Sequence, residues 1–163
     1  MLTVREELTK TFMQEKFVPT IKELFKTKSP EKYKQWGENC CVQIAVFGTF
    51  FLSKMLMDYT FTVYEGIFHD KVKGRDVKYN HAWIYAVSSD KSRKLFIDMG
   101  RSMQENIFIE QDKNAYDNKI FGYEDIKEVK RTQLDWRRML ATETEYYTGL
   151  PSMEVAHLLE NSF

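Results

Sequence analysis

Residues 40–57 form an apolar stretch with no continuous polar side, and this feature constrains the architecture more than any other. Val42, Ile44, Ala45, Val46, Phe47, Phe50, Phe51, Leu52 and Met55 surround a helix instead of forming one stripe along it. Such a helix must be enclosed by protein. Gln43, Ser53 and Lys54 interrupt the run. The reading is therefore a buried central helix over residues 41–56, not a membrane span, which needs about 20 mostly apolar residues in a row.

The rest of the chain has to wall that helix in, and 163 residues suffice for one domain with a full core. Residues 2–26 show helical spacing, with Phe12, Phe17, Ile21, Leu24 and Phe25 on one stripe and Pro19 as a kink or break. Ser29-Pro30-Glu31 reads as an N-cap with proline at the first helical position. A short helix through Tyr33 and Trp36 follows and ends at Gly37. After Asp58 the period changes to two: Thr60, Thr62 and Tyr64 alternate with Phe61, Val63 and Glu65, the pattern of a strand. Gly66 marks a bulge or close contact. Residues 69–76 read as a charged loop, 77–87 and 93–98 as strands, and 107–109 as a short strand within loop composition. Residues 124–131, 133–142 and 150–159 read as helices. Helices, then antiparallel strands, then helices make an α+β fold. We expect a single domain over 1–163, with N-terminal helices over 1–34, a catalytic core over 35–101 and a C-terminal extension over 102–163.

The chemistry rests on few residues, since the chain has two cysteines and three histidines. Cys40 and Cys41 open the apolar helix. There a helix N-terminus offers partial positive charge and unpaired amides, which favour a thiolate and can hold an oxyanion. His81 and Asp98 lie on consecutive strands. A two-residue turn at Ser89-Asp90 pairs Ser88 with Lys91, and the same register sets His81 directly opposite Asp98 on one face. Cysteine, histidine and aspartate in that arrangement are a nucleophile, its base and the base's orienter.

These segments resemble the papain-like fold, and within it the transglutaminase-like branch. The resemblance is carried by Cys41-Val42-Gln43-Ile44-Ala45, by the strand near residues 59–66, by His81-Ala82-Trp83-Ile84 and by Leu95-Phe96-Ile97-Asp98. It covers roughly residues 35–98. It implies a catalytic Cys41, chosen over Cys40 because Ala45 stands four residues on, with His81 as base and Asp98 as orienter. Gln35, six residues before Cys41, is implied as oxyanion donor. Trp83 and Cys40, beside the base and the nucleophile, are expected at the substrate site. The chain departs from the family pattern at Asn39, Val42 and Met99. The implied activity is attack on an amide, peptide or related acyl bond through a thioester, ending in hydrolysis or in transfer to an amine. The substrate would be a protein, a peptide or a small amide. The rival reading is a catalytically silent papain-like module that binds or inhibits a partner protein.

Other classes fit less well. A Cys40, Cys41, His69, His81 zinc set asks vicinal cysteines to share one ion, which is poor geometry, so no metal and no other cofactor is expected. Gly74 and Gly100 stand alone, so no phosphate loop is present. Lys and Arg number 24 and Asp and Glu 24. That balance gives no global field toward nucleic acid or an anionic membrane, and neither is expected as a partner. The basic residues Lys127, Lys130, Arg131, Arg137 and Arg138 are interleaved with acids and read as a solvated face. Vicinal cysteines bridge each other only with strain, and the start Met-Leu-Thr-Val-Arg-Glu-Glu lacks the apolar core of a secretory signal. A reducing, cytoplasmic setting is the expectation.

Overall fold

In the computed structural model the described residues are 1–35, 40–100, 106–111, 123–128, 157 and 161. They form an α+β fold in which N-terminal helices and a central helix cover one face of an antiparallel sheet. The N-terminal helix is continuous from Val4 to Lys28 but changes pitch. α1 (Val4–Phe12) runs into a π-helical turn (Met13–Phe17), and α2 (Val18–Lys28) follows with Pro19 in its first turn. Proline lacks an amide hydrogen and crowds the carbonyl four residues back. A wider turn just before it relieves that clash, and Val18 N–H accordingly donates to the Met13 carbonyl, five residues back.

α3 (Pro30–Gln35) is short, and α4 (Cys41–Met55) is the central helix. As its composition requires, α4 is buried at Cys41 and from Gln43 to Thr49, and again at Phe51 and Leu52. Exposure begins at Ser53 and Lys54. The core between helices and sheet is built from Met13, Phe17 and Ile21 of the N-terminal helix, Ile44 and Phe47 of α4, and Val63, Ile84 and Ile97 of the sheet.

The sheet order is β4-β3-β2-β1-β5, with β1 (Tyr59–Val72), β2 (Arg75–Ser88), β3 (Lys94–Asp98), β4 (Ile107–Glu110) and β5 (Tyr123–Glu128). Three expectations are corrected here. The charged segment 69–76 is not a loop, because β1 and β2 stay paired from Tyr59↔Ser88 to Val72↔Arg75. The chain reverses at Lys73 (φ 52°) and Gly74 (φ 77°). Two consecutive positive φ values make the tight turn whose twist suits a hairpin. Residues 123–128 form a strand, not the start of a helix. Pairing with β1 from Tyr64↔Glu128 to Phe68↔Tyr123 overrides the local helical preference, with an irregularity at Gly66. The connection between β2 and β3 has five residues, 89–93, closed by Ser88 N–H donating to the Arg93 carbonyl at 3.0 Å, not a two-residue turn. Asp90 accepts from Ser92 N–H at 3.0 Å and from the hydroxyls of Ser88 and Ser92. Lys91 takes a left-handed conformation (φ 61°).

The helices expected over 133–142 and, but for a helical His157, over 150–159 lie outside the described residues.

The N-terminal helix is tied to the sheet by a buried carboxylate. Thr3 and Glu6 form a capping box. The Glu6 carboxylate, on a residue 1% exposed, accepts from Arg93 Nε (2.7 Å), Arg93 Nη2 (2.6 Å) and the Tyr59 hydroxyl (2.5 Å). Burial alone would raise this carboxyl, but the hydrogen bonds from Arg93 and Tyr59 outweigh it and hold the pKa at about 2. A carboxyl held below its ordinary value stabilises the fold above about pH 4.5, and that contribution drains away as pH falls toward 2. Arg93→Met leaves Glu6 buried without its cation. It is expected to lower stability by about 2–4 kcal/mol at neutral pH, and the deficit should shrink as pH drops through that window. Urea unfolding of both proteins between about pH 3 and 7 measures it.

Candidate active site

β2 alternates strictly at its sheet-buried end. Ala82, Ile84 and Ala86 face the helices, while His81, Trp83 and Tyr85 face the other way. On that second face Trp83 and Tyr85 join Tyr64, Phe68 and Phe96 in an aromatic cluster. His81 stands at its end, with ring centroids 5.3 Å from Phe68, 5.7 Å from Tyr79 and 6.3 Å from Trp83. The Trp83 ring lies nearly parallel to the imidazole, at 22°.

Asp98 comes from the end of β3 and is fully buried. His81 Nε2 lies 2.9 Å from each of its carboxylate oxygens, a bifurcated arrangement. The direct opposition of the two residues is corrected. The ladder pairs Ile84 with Ile97 and Val87 with Lys94, and carrying that register onward sets His81 against position 100. The longer loop slips the register by two residues. A slip of two keeps both side chains on one face, so they meet diagonally.

Cys41 approaches from the helix side, where β3 has ended. A Cβ placed on Gly100 would lie 2.7 Å from the Cα and Cβ of Cys41, so that glycine lets the chain press against the start of α4. Cys41 Sγ lies 3.9 Å from the Asn80 carbonyl, one residue before the base. Asp98 occupies the Nε2 side of the ring, and Nδ1 is buried. Burial pulls the His81 pKa down. The Asp98 charge and hydrogen bond, followed by the hydrogen bond and charge of Cys41, outweigh it and raise the imidazole to about 10. These partners favour the cationic ring over the neutral one. Cys40, the N-cap of α4, is different: burial pushes its thiol up to about 12 even with the Lys22 ammonium nearby. A thiol held in that state is neither a nucleophile nor a ligand at neutral pH.

The structure thus brings Cys41, His81 and Asp98 together. Gln35 ends α3 exposed to solvent, and among the described residues no hydrogen bond joins it to those three. Trp83 and Cys40 are each 1% exposed. In this conformation neither offers surface to a substrate: Trp83 supports the imidazole, and Cys40 packs in the main core. Gly100, Phe68 and Tyr79 escaped the sequence reading. Aromatic residues at every second position from Tyr79 to Tyr85, with His81 among them, were the available signal for one of them. Gly100 offered only its position two residues after Asp98.

Neither cysteine is in a disulfide. Among the described residues no cluster of three or more His, Cys, Asp or Glu is placed to hold a metal ion, and no helix is long and apolar enough to cross a membrane. No protein-family model, curated protein or solved structure matches the chain.

Proposed function

We propose that the protein is a thiol enzyme of the papain-like, transglutaminase-like kind, working in the cytoplasm on an amide, peptide or related acyl bond. One observation carries the reading. A buried imidazole is held by both oxygens of a buried carboxylate, and the thiol at the start of a helix lies against the backbone one residue before it, 3.9 Å from the Asn80 carbonyl. In this reading the reactive form is the Cys41 thiolate, with the proton carried by His81. The Cys41 sulfur attacks the acyl carbon, and the carbonyl electrons move onto oxygen, which the amides at the start of α4 are oriented to receive. The imidazolium proton then passes to the departing amine as the carbon–nitrogen bond breaks. Water or a second amine, deprotonated by the now neutral His81, attacks the thioester and releases Cys41. Asp98 keeps the ring oriented and its cation stable throughout.

A second reading is favoured by the burial of all three groups: Cys41 is 5% exposed, His81 1% and Asp98 0%. A closed cleft of this kind also suits a silent module that binds a partner. Alkylation separates the two. Iodoacetamide at about pH 6 lies well below the ordinary thiol range near 8.5. Under those conditions an enzyme is expected to take one label, at Cys41, and to keep taking it in Cys40→Ser. Intact mass with peptide mapping reads the result. Labelling at Cys40, or none at either position, sinks the enzyme reading.

A further inference from the structure

The β1–β2 hairpin outruns the rest of the sheet. β3 pairs with β2 over residues 84–87, and β5 pairs with β1 over residues 64–68. Past those points the two strands continue together to the turn at Lys73 and Gly74. On this arm Lys73, Gly74, Arg75, Asp76, Lys78 and Asn80 are exposed, and Val77 and Tyr79 are half-buried. A two-stranded extension largely exposed along residues 73–80 buries little apolar surface there and is marginal for stability. Its composition is also biased. Of its four exposed charged side chains in 73–80, three are cations, whereas the whole chain is formally neutral.

The arm begins at the site. The Asn80 carbonyl faces Cys41 Sγ, and Phe68 and Tyr79, paired across the hairpin, lie against His81. From the structure we infer that this arm is a docking surface for an acidic polypeptide segment, the part of the substrate that flanks the bond presented to Cys41. The inference rests on the thiol-enzyme reading. Strand rise gives it a ruler: at about 3.3 Å per residue, Arg75, on the same face as His81, stands roughly 17 Å along the strand from Asn80. An extended substrate should therefore carry acidic side chains about five residues from the reacting carbonyl. A single-stranded nucleic acid would want aromatic faces to stack on, and Tyr79, the aromatic side chain among residues 73–80, is engaged with Phe68 and His81.

Peptides with an N-terminal chloroacetyl group test the arm through Cys41 itself. The thiolate sulfur displaces chloride, forming a thioether as the carbon–chlorine bond breaks. The probes carry spacers of roughly two, five or eight glycines before three glutamates, or three glutamines as the uncharged match. In low salt the middle glutamate probe is expected to label Cys41 about tenfold faster than its glutamine match. The advantage should fade toward about 0.5 M salt, where screening is strong. It should vanish in Lys73→Glu/Arg75→Glu and fall partway in Lys73→Gln/Arg75→Gln, a graded series that a folding defect would not produce. Equal rates for the charged and uncharged probes on a Cys41 that does react would overturn the docking proposal and leave the enzyme reading standing. So would an advantage that survives charge reversal, or protection by an oligouridylate at lower concentration than by free triglutamate. A Cys41 that reacts with neither these probes nor iodoacetamide would remove the enzyme reading, and the arm's role with it.

Discussion

Asp98→Asn is expected to leave the protein folded and to slow acyl transfer by about 10³–10⁴-fold, the scale of the same substitution in a serine triad. The amide replaces one of the two oxygens that meet His81 Nε2 at 2.9 Å and carries no charge. Burial, the largest influence on the imidazole, then pulls its pKa down with the carboxylate's support gone. The consequence appears in the pH profile. In the parent, Asp98 favours the imidazolium, and a cation near the thiol should let Cys41 react with iodoacetamide even in mild acid. In the variant the acid side of that profile should be lost, with reactivity returning only as the bulk solution ionises the thiol, near the ordinary value of about 8.5. An unchanged profile would remove Asp98 from the mechanism.

The same substitution gives a stability signature with a definite sign. A histidine whose pKa is raised on folding from 6.5 to about 10 stabilises the native state fully below pH 6.5, and this contribution is lost as pH rises through 10. The gap in melting temperature between parent and Asp98→Asn should therefore be widest in mild acid and narrow toward pH 10. A gap that widens with pH would mean that His81 is buried neutral.

The parts of the site legible in the sequence were those fixed by local pattern. An apolar helix without a polar face had to be central, and Cys41 at its start followed from where the apolar run begins. The alternation along β2 placed His81 and Asp98 on one face whichever even slip the hairpin took. The loop that set the actual slip depended on Asp90 folding back onto Ser88 and Ser92, with Lys91 in a left-handed conformation. Nothing in the composition of Ser89-Asp90-Lys91-Ser92 demands that over a tighter turn. The arm was missed because charged residues at its tip look like a loop, although Lys73 and Gly74 need only two positions to reverse the chain. β5 was missed because Glu, Asp and Lys at helical spacing suit a helix as well as an edge strand, and the neighbouring β1 decides between them.

Gly100→Ala should have the second large effect, and it would act on geometry without removing a reacting group. The added methyl carbon would stand 2.7 Å from both Cα and Cβ of Cys41. No real contact is that short, and the obstacle is backbone, which cannot swing aside as a flexible side chain can. Either the chain after β3 retreats or the first turn of α4 moves. Retreat pulls at Asp98, whose Oδ1 accepts from the Gly100 amide at 3.4 Å. Movement of α4 carries the thiol away from His81. Overpacking of this kind costs about 1–3 kcal/mol, and a displacement on the order of 1 Å in a reacting group can cost about 10²-fold in rate. Cys41 labelling at mild acid pH should therefore fall by about that factor while circular dichroism still shows the folded chain. Gly48→Ala is the matched control on α4. Its methyl carbon would meet the Met13 methyl at 3.3 Å, the far end of a flexible side chain, and alanine favours a helix interior over glycine by about 1 kcal/mol. Normal labelling in Gly48→Ala beside a large loss in Gly100→Ala is the expected pair of results. Equal labelling in the two would show that the close approach of Gly100 does not set the position of the thiol.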